Sequence, residues 1–142
     1  MSWTEKLLVI ANRTADSDEL FDALTARAQS GDIQVTLVAP ASRDGGIVSG
    51  ARATHDRLDR AVSRLRDAGV TITGVVGAPD PLVAVSEAWD PWKFDEVIVV
   101  TLPTGTSRWL TFDLPRRVER LTEAQVTHIV SGASRPRTVR SG

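Results

Sequence analysis

The segment Leu7-Leu8-Val9-Ile10-Ala11 is apolar at every position, with no alternation. A strand covered on both faces has this pattern, because neither side-chain direction meets water. Val35-Thr36-Leu37-Val38-Ala39 and Val97-Ile98-Val99-Val100 repeat it. Val70-Thr71-Ile72-Thr73-Gly74-Val75-Val76 and Val126-Thr127-His128-Ile129-Val130 alternate more, as edge strands with one wetter face do. Helical periodicity fills the gaps. Leu20, Phe21, Leu24 and Ala28 share one face, with Asp16 and Glu19 spaced as a capping box and Gly31 placed to stop the helix in the left-handed conformation. Leu58, Ala61, Val62 and Leu65 form a second stripe, closed by Gly69 in the same manner. Leu82, Val85 and Trp89 form a third, with Asp80 as N-cap and Pro81 at the first helical position. Leu114, Val118 and Leu121 form a fourth, with Pro115 near its start.

The predicted order is βαβαβαβαβ. Strands separated by helices run parallel through right-handed crossovers, with helices on both faces, so the expected fold is a doubly wound α/β sandwich with a five-stranded parallel sheet. Ligands of such sheets bind beyond the carboxyl ends of the strands, where the strand order reverses. The informative loops are therefore those that follow strands. The stretch Ala41–Gly50, with three glycines, reads as a mobile loop. One domain is expected over residues 1–131, followed by a disordered Ser-, Gly-, Pro- and Arg-rich tail over 132–142.

Composition narrows the function classes. A length of 142 residues suits one domain large enough to bury a core without staples. The 17 basic and 18 acidic residues give a net charge of −1, which argues against nucleic-acid binding through a globally basic surface. Cysteine is absent, which removes disulfides, thiolate zinc sites and cysteine nucleophiles. The two histidines, His55 and His128, lie far apart, against a histidine-built metal site; neither has a visible partner in the sequence, and no catalytic residue is assigned. The apolar runs fall far below the ~18 residues of a membrane span. The segment Met1–Lys6 lacks the basic stretch and long apolar core of a signal peptide, so the expected location is cytoplasmic.

The loop after the fourth strand reads Thr101-Leu102-Pro103-Thr104-Gly105-Thr106-Ser107-Arg108. Its hydroxyls, backbone N–H groups and guanidinium suit an anion such as phosphate. The same hydroxyls also suit turn and cap hydrogen bonds. Asn12 ends the first strand, where its amide can meet a base or ribose, or close an Asx-turn; Arg13 follows it and reads as solvent-exposed. The second helix, with Arg52, Asp56, Arg57, Asp59, Arg60, Arg64, Arg66 and Asp67, mixes both signs and reads as a solvated face supported by an Asp56–Arg60 pair. Trp89, Trp92 and Trp109 read as core or interface anchors, Trp109 beside the loop's Ser107-Arg108. G-x-x-x-x-G-K-[ST], G-x-G-x-x-G after the first strand and G-x-S-x-G are all absent, and carboxylates are scarce after the apolar strands. These gaps argue against a P-loop NTPase, a dinucleotide enzyme, an α/β-hydrolase and a phosphoacceptor domain.

Four segments together resemble the universal stress protein family: Lys6-Leu7-Leu8-Val9-Ile10-Ala11-Asn12-Arg13-Thr14, Gly77-Ala78-Pro79-Asp80-Pro81-Leu82, Phe94-Asp95-Glu96-Val97-Ile98-Val99-Val100-Thr101 and Gln125-Val126-Thr127-His128-Ile129-Val130. Leu102–Leu110 and Asp113-Leu114-Pro115 resemble an actinobacterial branch of it. The resemblance implies an adenine nucleotide alpha hydrolase-like sheet of order 3-2-1-4-5. It also implies a nucleotide cleft between the first and fourth strands, and a homodimer through the last strand, with Val126, His128 and Val130 at the two-fold contact. ATP-binding members carry G-x-x-G, nine residues, then G-[ST]. Here Thr101 and Thr104 stand where the first two glycines fall, and Phe112-Asp113 or Asp113-Leu114 occupies the region of the last pair. The added Cβ atoms fill space that phosphates would approach, and Asp113 repels a triphosphate. The usual aspartate ending the first strand is represented by Asn12.

Three functions stay open on this basis. The first is a small binding or regulatory protein holding AMP, ATP or a phosphate-like anion at Asn12, Arg13, Val38, Thr101, Thr104, Gly105, Thr106, Ser107 and Arg108. The second is a ligand-free dimeric interaction module. The third, an enzyme acting on a nucleotide α-phosphate, is disfavoured because neither H-x-G-H nor S-G-G-x-D is present.

Overall fold

The computed structural model describes residues 4–41, 47–103, 109 and 113–131. The strands are β1 (Glu5–Ile10), β2 (Ile33–Pro40), β3 (Thr71–Gly77), β4 (Glu96–Thr101) and β5 (Gln125–Val130), and they alternate with α1 (Asp18–Ser30), α2 (Ile47–Asp67), α3 (Pro81–Ala88) and α4 (Leu114–Thr122). They form one sheet of order β3-β2-β1-β4-β5, parallel at every pairing. The doubly wound architecture and its strand order are therefore as expected. Ile10 aligns with Val38 on one side and Val99 on the other, so β1 and β4 are adjacent and co-directional.

Side-chain alternation divides the core into two layers. Leu7 and Val9 of β1, with Ile98 and Val100 of β4, pack beneath Leu20 and Leu24 of α1 and Leu58, Ala61, Val62 and Leu65 of α2. Leu8 and Ile10, with Val97 and Val99, pack beneath Ala84 and Val85 of α3 and Leu114 and Val118 of α4. Every residue of β4 is buried, which is why its sequence shows no polar alternation. Gly74 admits α2 to the sheet: a Cβ there would lie 2.9 Å from both Leu58 Cγ and Val62 Cγ2.

Several local expectations are corrected. Ser17, not Asp16, caps α1, its hydroxyl accepting from the Leu20 N–H at 3.3 Å. Gly31 follows α1 in extended backbone (φ 173°), so of these two glycines Gly69 alone takes the left-handed conformation, at φ 93°. α2 begins at Ile47, so Ile47–Gly50 is helix where a loop was expected, and residues 42–46 lie outside the described ones. The buried row of α4 runs Leu114, Val118, Thr122, while Leu121 is 43% exposed. Trp92 is 90% exposed and no part of the core, whereas Trp89 stacks on Phe94 and Trp109 packs against the α3–α4 layer. Asp80 and Pro81 open α3 as read, with the Asp80 carboxylate accepting from the N–H groups of Leu82 and Val83. Among the described residues, no helix is long and apolar enough to cross a membrane. The tail 132–142 lies outside them.

Candidate functional site

The β1 ladder extends one residue past the strand, with Ala11 donating its N–H to the Val38 carbonyl at 3.1 Å. Asn12 then leaves the sheet. Its carbonyl accepts from the Ala15 N–H at 3.1 Å, closing a turn in which Thr14 is buried. The Thr14 hydroxyl donates to the Val100 carbonyl at 3.1 Å and ties the β1–α1 turn across the carboxyl end of β4. This is the place where strand order reverses, with chain leaving to α1 on one face and toward α4 on the other.

Asn12 is half-buried, and its amide oxygen accepts from Arg57 Nη1 of α2 at 3.0 Å. Arg60 and Arg64 continue the same row. Arg60 Nε lies 3.8 Å from Asp16 Oδ2, and Arg64 Nη2 lies 2.9 Å from Asp18 Oδ1, with the Arg64 guanidinium 4.0 Å above the Phe21 ring. The face is solvated as expected, with only Arg57 of these charged residues half-buried. The expected pairing is corrected: Arg60 turns to Asp16 rather than Asp56, and Arg57, Arg60 and Arg64 all reach the β1–α1 segment. Arg57 is the residue that sequence reasoning missed at this site. The available signal was the recurrence of one charge sign at 57, 60 and 64, a single helical stripe.

At the end of β4, Thr101 is buried, and its hydroxyl lies 2.7 Å from His128 Nε2 on β5. Both side chains lie on the α3–α4 side of the sheet, and burial pushes the His128 imidazole below its ordinary pKa. His128 therefore has a partner, contrary to expectation, as does His55, whose Nε2 is 3.7 Å from Asp59 Oδ2. The Thr101 carbonyl accepts from the Ser131 N–H at 2.7 Å, and the Ser131 hydroxyl donates to Glu19 at 3.3 Å. Val38 is a core residue: its side chain is buried beneath α3 and its carbonyl is held by Ala11. Arg13 lies exposed on the turn. The fold thus brings Asn12 and Thr101 to one edge of the sheet and leaves the Val38 side chain below it. Thr104, Gly105, Thr106, Ser107 and Arg108 lie outside the described residues. Asp113 precedes α4 in the left-handed conformation (φ 54°, ψ 53°), its carboxylate 3.5 Å from Arg116 Nε.

The opposite end of the sheet carries a different polar cluster. Glu96, with only 5% of its side chain exposed, is held by Arg27 of α1 through two bonds of 2.8 Å and by the Thr127 hydroxyl of β5. Burial alone would raise the Glu96 pKa, but these donors hold the carboxyl below its usual range. Arg27 also meets Glu5 at 3.3 Å. A depression of about 370 Å³ lies alongside, lined by Glu5, Ala26, Arg27, Ser30, Gly31, Asp32 and Ile33. It opens at the amino ends of β1 and β2, away from the strand reversal. Its one guanidinium is already committed to two carboxylates.

Solved structures place this architecture. A universal stress protein in complex with cAMP is 21% identical, with a TM-score of 0.56 over 89% of this chain and 97% of that one. A universal stress protein from Archaeoglobus fulgidus in complex with dAMP is 14% identical, with a TM-score of 0.62 over 91% and 99%. A universal stress protein family protein from Arabidopsis thaliana with AMP bound is 15% identical, with a TM-score of 0.61 over 91% and 93%. The chain has the universal stress protein fold. No protein-family model and no curated protein matches the sequence.

Proposed function

We propose that this chain is a non-enzymatic regulatory protein of the universal stress protein type that binds an adenine mononucleotide at the carboxyl ends of β1 and β4. The observation that carries this reading is the adjacency of parallel β1 and β4 at the strand reversal, with Asn12 leaving the sheet at the same edge. The cAMP, dAMP and AMP complexes among proteins of this fold support it. A monophosphate is favoured over ATP, because Thr101 and Thr104 replace glycines of the triphosphate motif and Asp113 adds like charge. The assembly that accompanies this reading is a homodimer through β5.

A thermal-shift panel of AMP, dAMP, cAMP, ATP and inorganic phosphate tests it. Ligand at a hundred times its Kd adds about 2.7 kcal/mol of stability. AMP is expected to raise the melting temperature more than ATP at equal concentration. No shift with any nucleotide at millimolar concentration overturns the reading. The second reading, a ligand-free interaction module, draws on the internal partners of two expected contact groups, Asn12 on Arg57 and Thr101 on His128. The same null result would favour it.

A further inference from the structure

Arg57, Arg60 and Arg64 form one row on α2, but their partners differ in charge. Arg60 and Arg64 each face a carboxylate, Asp16 and Asp18. Arg57 is half-buried at the carboxyl end of β1 and holds only the neutral Asn12 amide; among the described residues no carboxylate pairs with it. A half-buried guanidinium without a counter-charge is costly, and a bound anion relieves that cost through charge-assisted bonds. Residues 97–103, which form most of β4 and its exit beside β1, contain no Asp or Glu. The Arg57 bond also fixes the Asn12 amide. Guanidinium has only donors, so the amide oxygen must face it, and Asn12 Nδ2 is left as a donor with no acceptor among the described residues. Guanidinium and amide thus present donors together at the strand reversal.

We infer that Arg57, positioned on Asn12, binds the phosphate group of a nucleoside monophosphate at the carboxyl end of β1. It supplies from α2 the positive charge and donors that a glycine-rich loop supplies through its backbone. The inference rests on the mononucleotide reading and adds to it the residue that recognises the charged end. Arg57 Nη1 keeps its bond to Asn12, while the remaining guanidinium N–H groups and Asn12 Nδ2 serve the phosphate oxygens.

Calorimetric titration of the full chain with AMP, adenosine and inorganic phosphate separates the possibilities. Arg57→Gln is expected to weaken AMP about tenfold or more, as loss of a charge-assisted hydrogen bond predicts, with adenosine affinity unchanged. Arg57→Lys should recover part of that loss. Arg60→Gln, which removes a carboxylate-paired neighbour, should leave AMP affinity unchanged. Phosphate binding as tight as AMP and lost in Arg57→Gln supports the same anion contact with free phosphate as its occupant. An AMP affinity unaffected by Arg57→Gln, or AMP and adenosine weakened equally, overturns the inference while the mononucleotide reading stands. A wild-type chain that binds none of the three overturns both. Melting curves of each variant show whether it is folded.

Discussion

Glu123 closes α4 at φ 54° and ψ 25°, a left-handed conformation that brings its N–H to the Glu119 carbonyl at 2.8 Å. The bond satisfies one of the last helical carbonyls, but a residue with a Cβ pays roughly 1–2 kcal/mol for the backbone that makes it. Glycine reaches the same conformation without that strain, at some cost in unfolded-chain entropy. Glu123→Gly should therefore stabilise the chain by about 1 kcal/mol, whereas Glu123→Ala, which keeps the Cβ, should not. Urea denaturation of the three proteins checks this; equal gains from glycine and alanine would place the effect in the lost carboxylate instead. The same scale explains what the sequence concealed at the site. Asn12 and Arg57 are 45 positions apart, and neither periodicity nor composition specifies that one guanidinium of a mixed-charge helix turns inward to an amide. Thr101 with His128 is a similar case, two polar residues on adjacent strands whose contact depends on register.

At the scale of elements, apolar pattern translated well into structure where burial is complete. β1 and β4 were legible as unbroken apolar runs, and β2 as one interrupted only at Thr36, because two helical layers cover them. Their parallel direction followed from the intervening helices, while the order 3-2-1-4-5 came from family resemblance. Element ends were less legible. Asp16 and Ser17 are both good caps, and only the hydrogen bond distinguishes them. The glycines before α2 suggested a loop, yet the helix already includes Gly50. Glu96 shows what pattern alone does not reveal: a buried carboxylate that joins α1, β4 and β5 through Arg27 and Thr127. Removing one partner of a buried pair leaves an uncompensated charge, so Arg27→Met should cost about 3 kcal/mol at neutral pH. The sign with pH follows from the lowered Glu96 pKa. Its contribution is complete above the ordinary value of 4.5 and is lost as pH falls through the lower folded value. Without Arg27, burial favours the protonated carboxyl and the dependence reverses. The stability gap between wild type and Arg27→Met should therefore narrow below about pH 4.5. A gap of constant size across pH 3 to 7, followed by chemical denaturation, would show that Arg27 acts through packing rather than charge.

For the whole molecule, the unresolved physical problem is the two open edges of the sheet. Alternate residues of a parallel strand direct their backbone groups to opposite sides. Ser131 N–H reaches inward to Thr101, so the groups of Val126, His128 and Val130 point outward from β5. On β3 the inward bond from Ala41 to Gly77 likewise turns Ile72 outward, and there Arg66 Nε donates to the Ile72 carbonyl at 3.1 Å. An edge capped by a charged side chain resists pairing, whereas a β-branched edge such as β5, whose outward groups meet no side-chain cap among the described residues, invites it. On this contrast, the proposed second copy is expected to pair along β5 rather than β3. Val130→Pro isolates this contribution, because it removes an outward N–H at the strand end and leaves the β4 ladder intact. Light scattering at about 100 μM should give roughly twice 15.3 kDa for the wild type and a shift toward 15.3 kDa for the variant. Far-UV circular dichroism should stay unchanged if only the edge is altered. A wild type that remains at 15.3 kDa under these conditions, or a variant that stays fully dimeric, would move the subunit contact away from this strand.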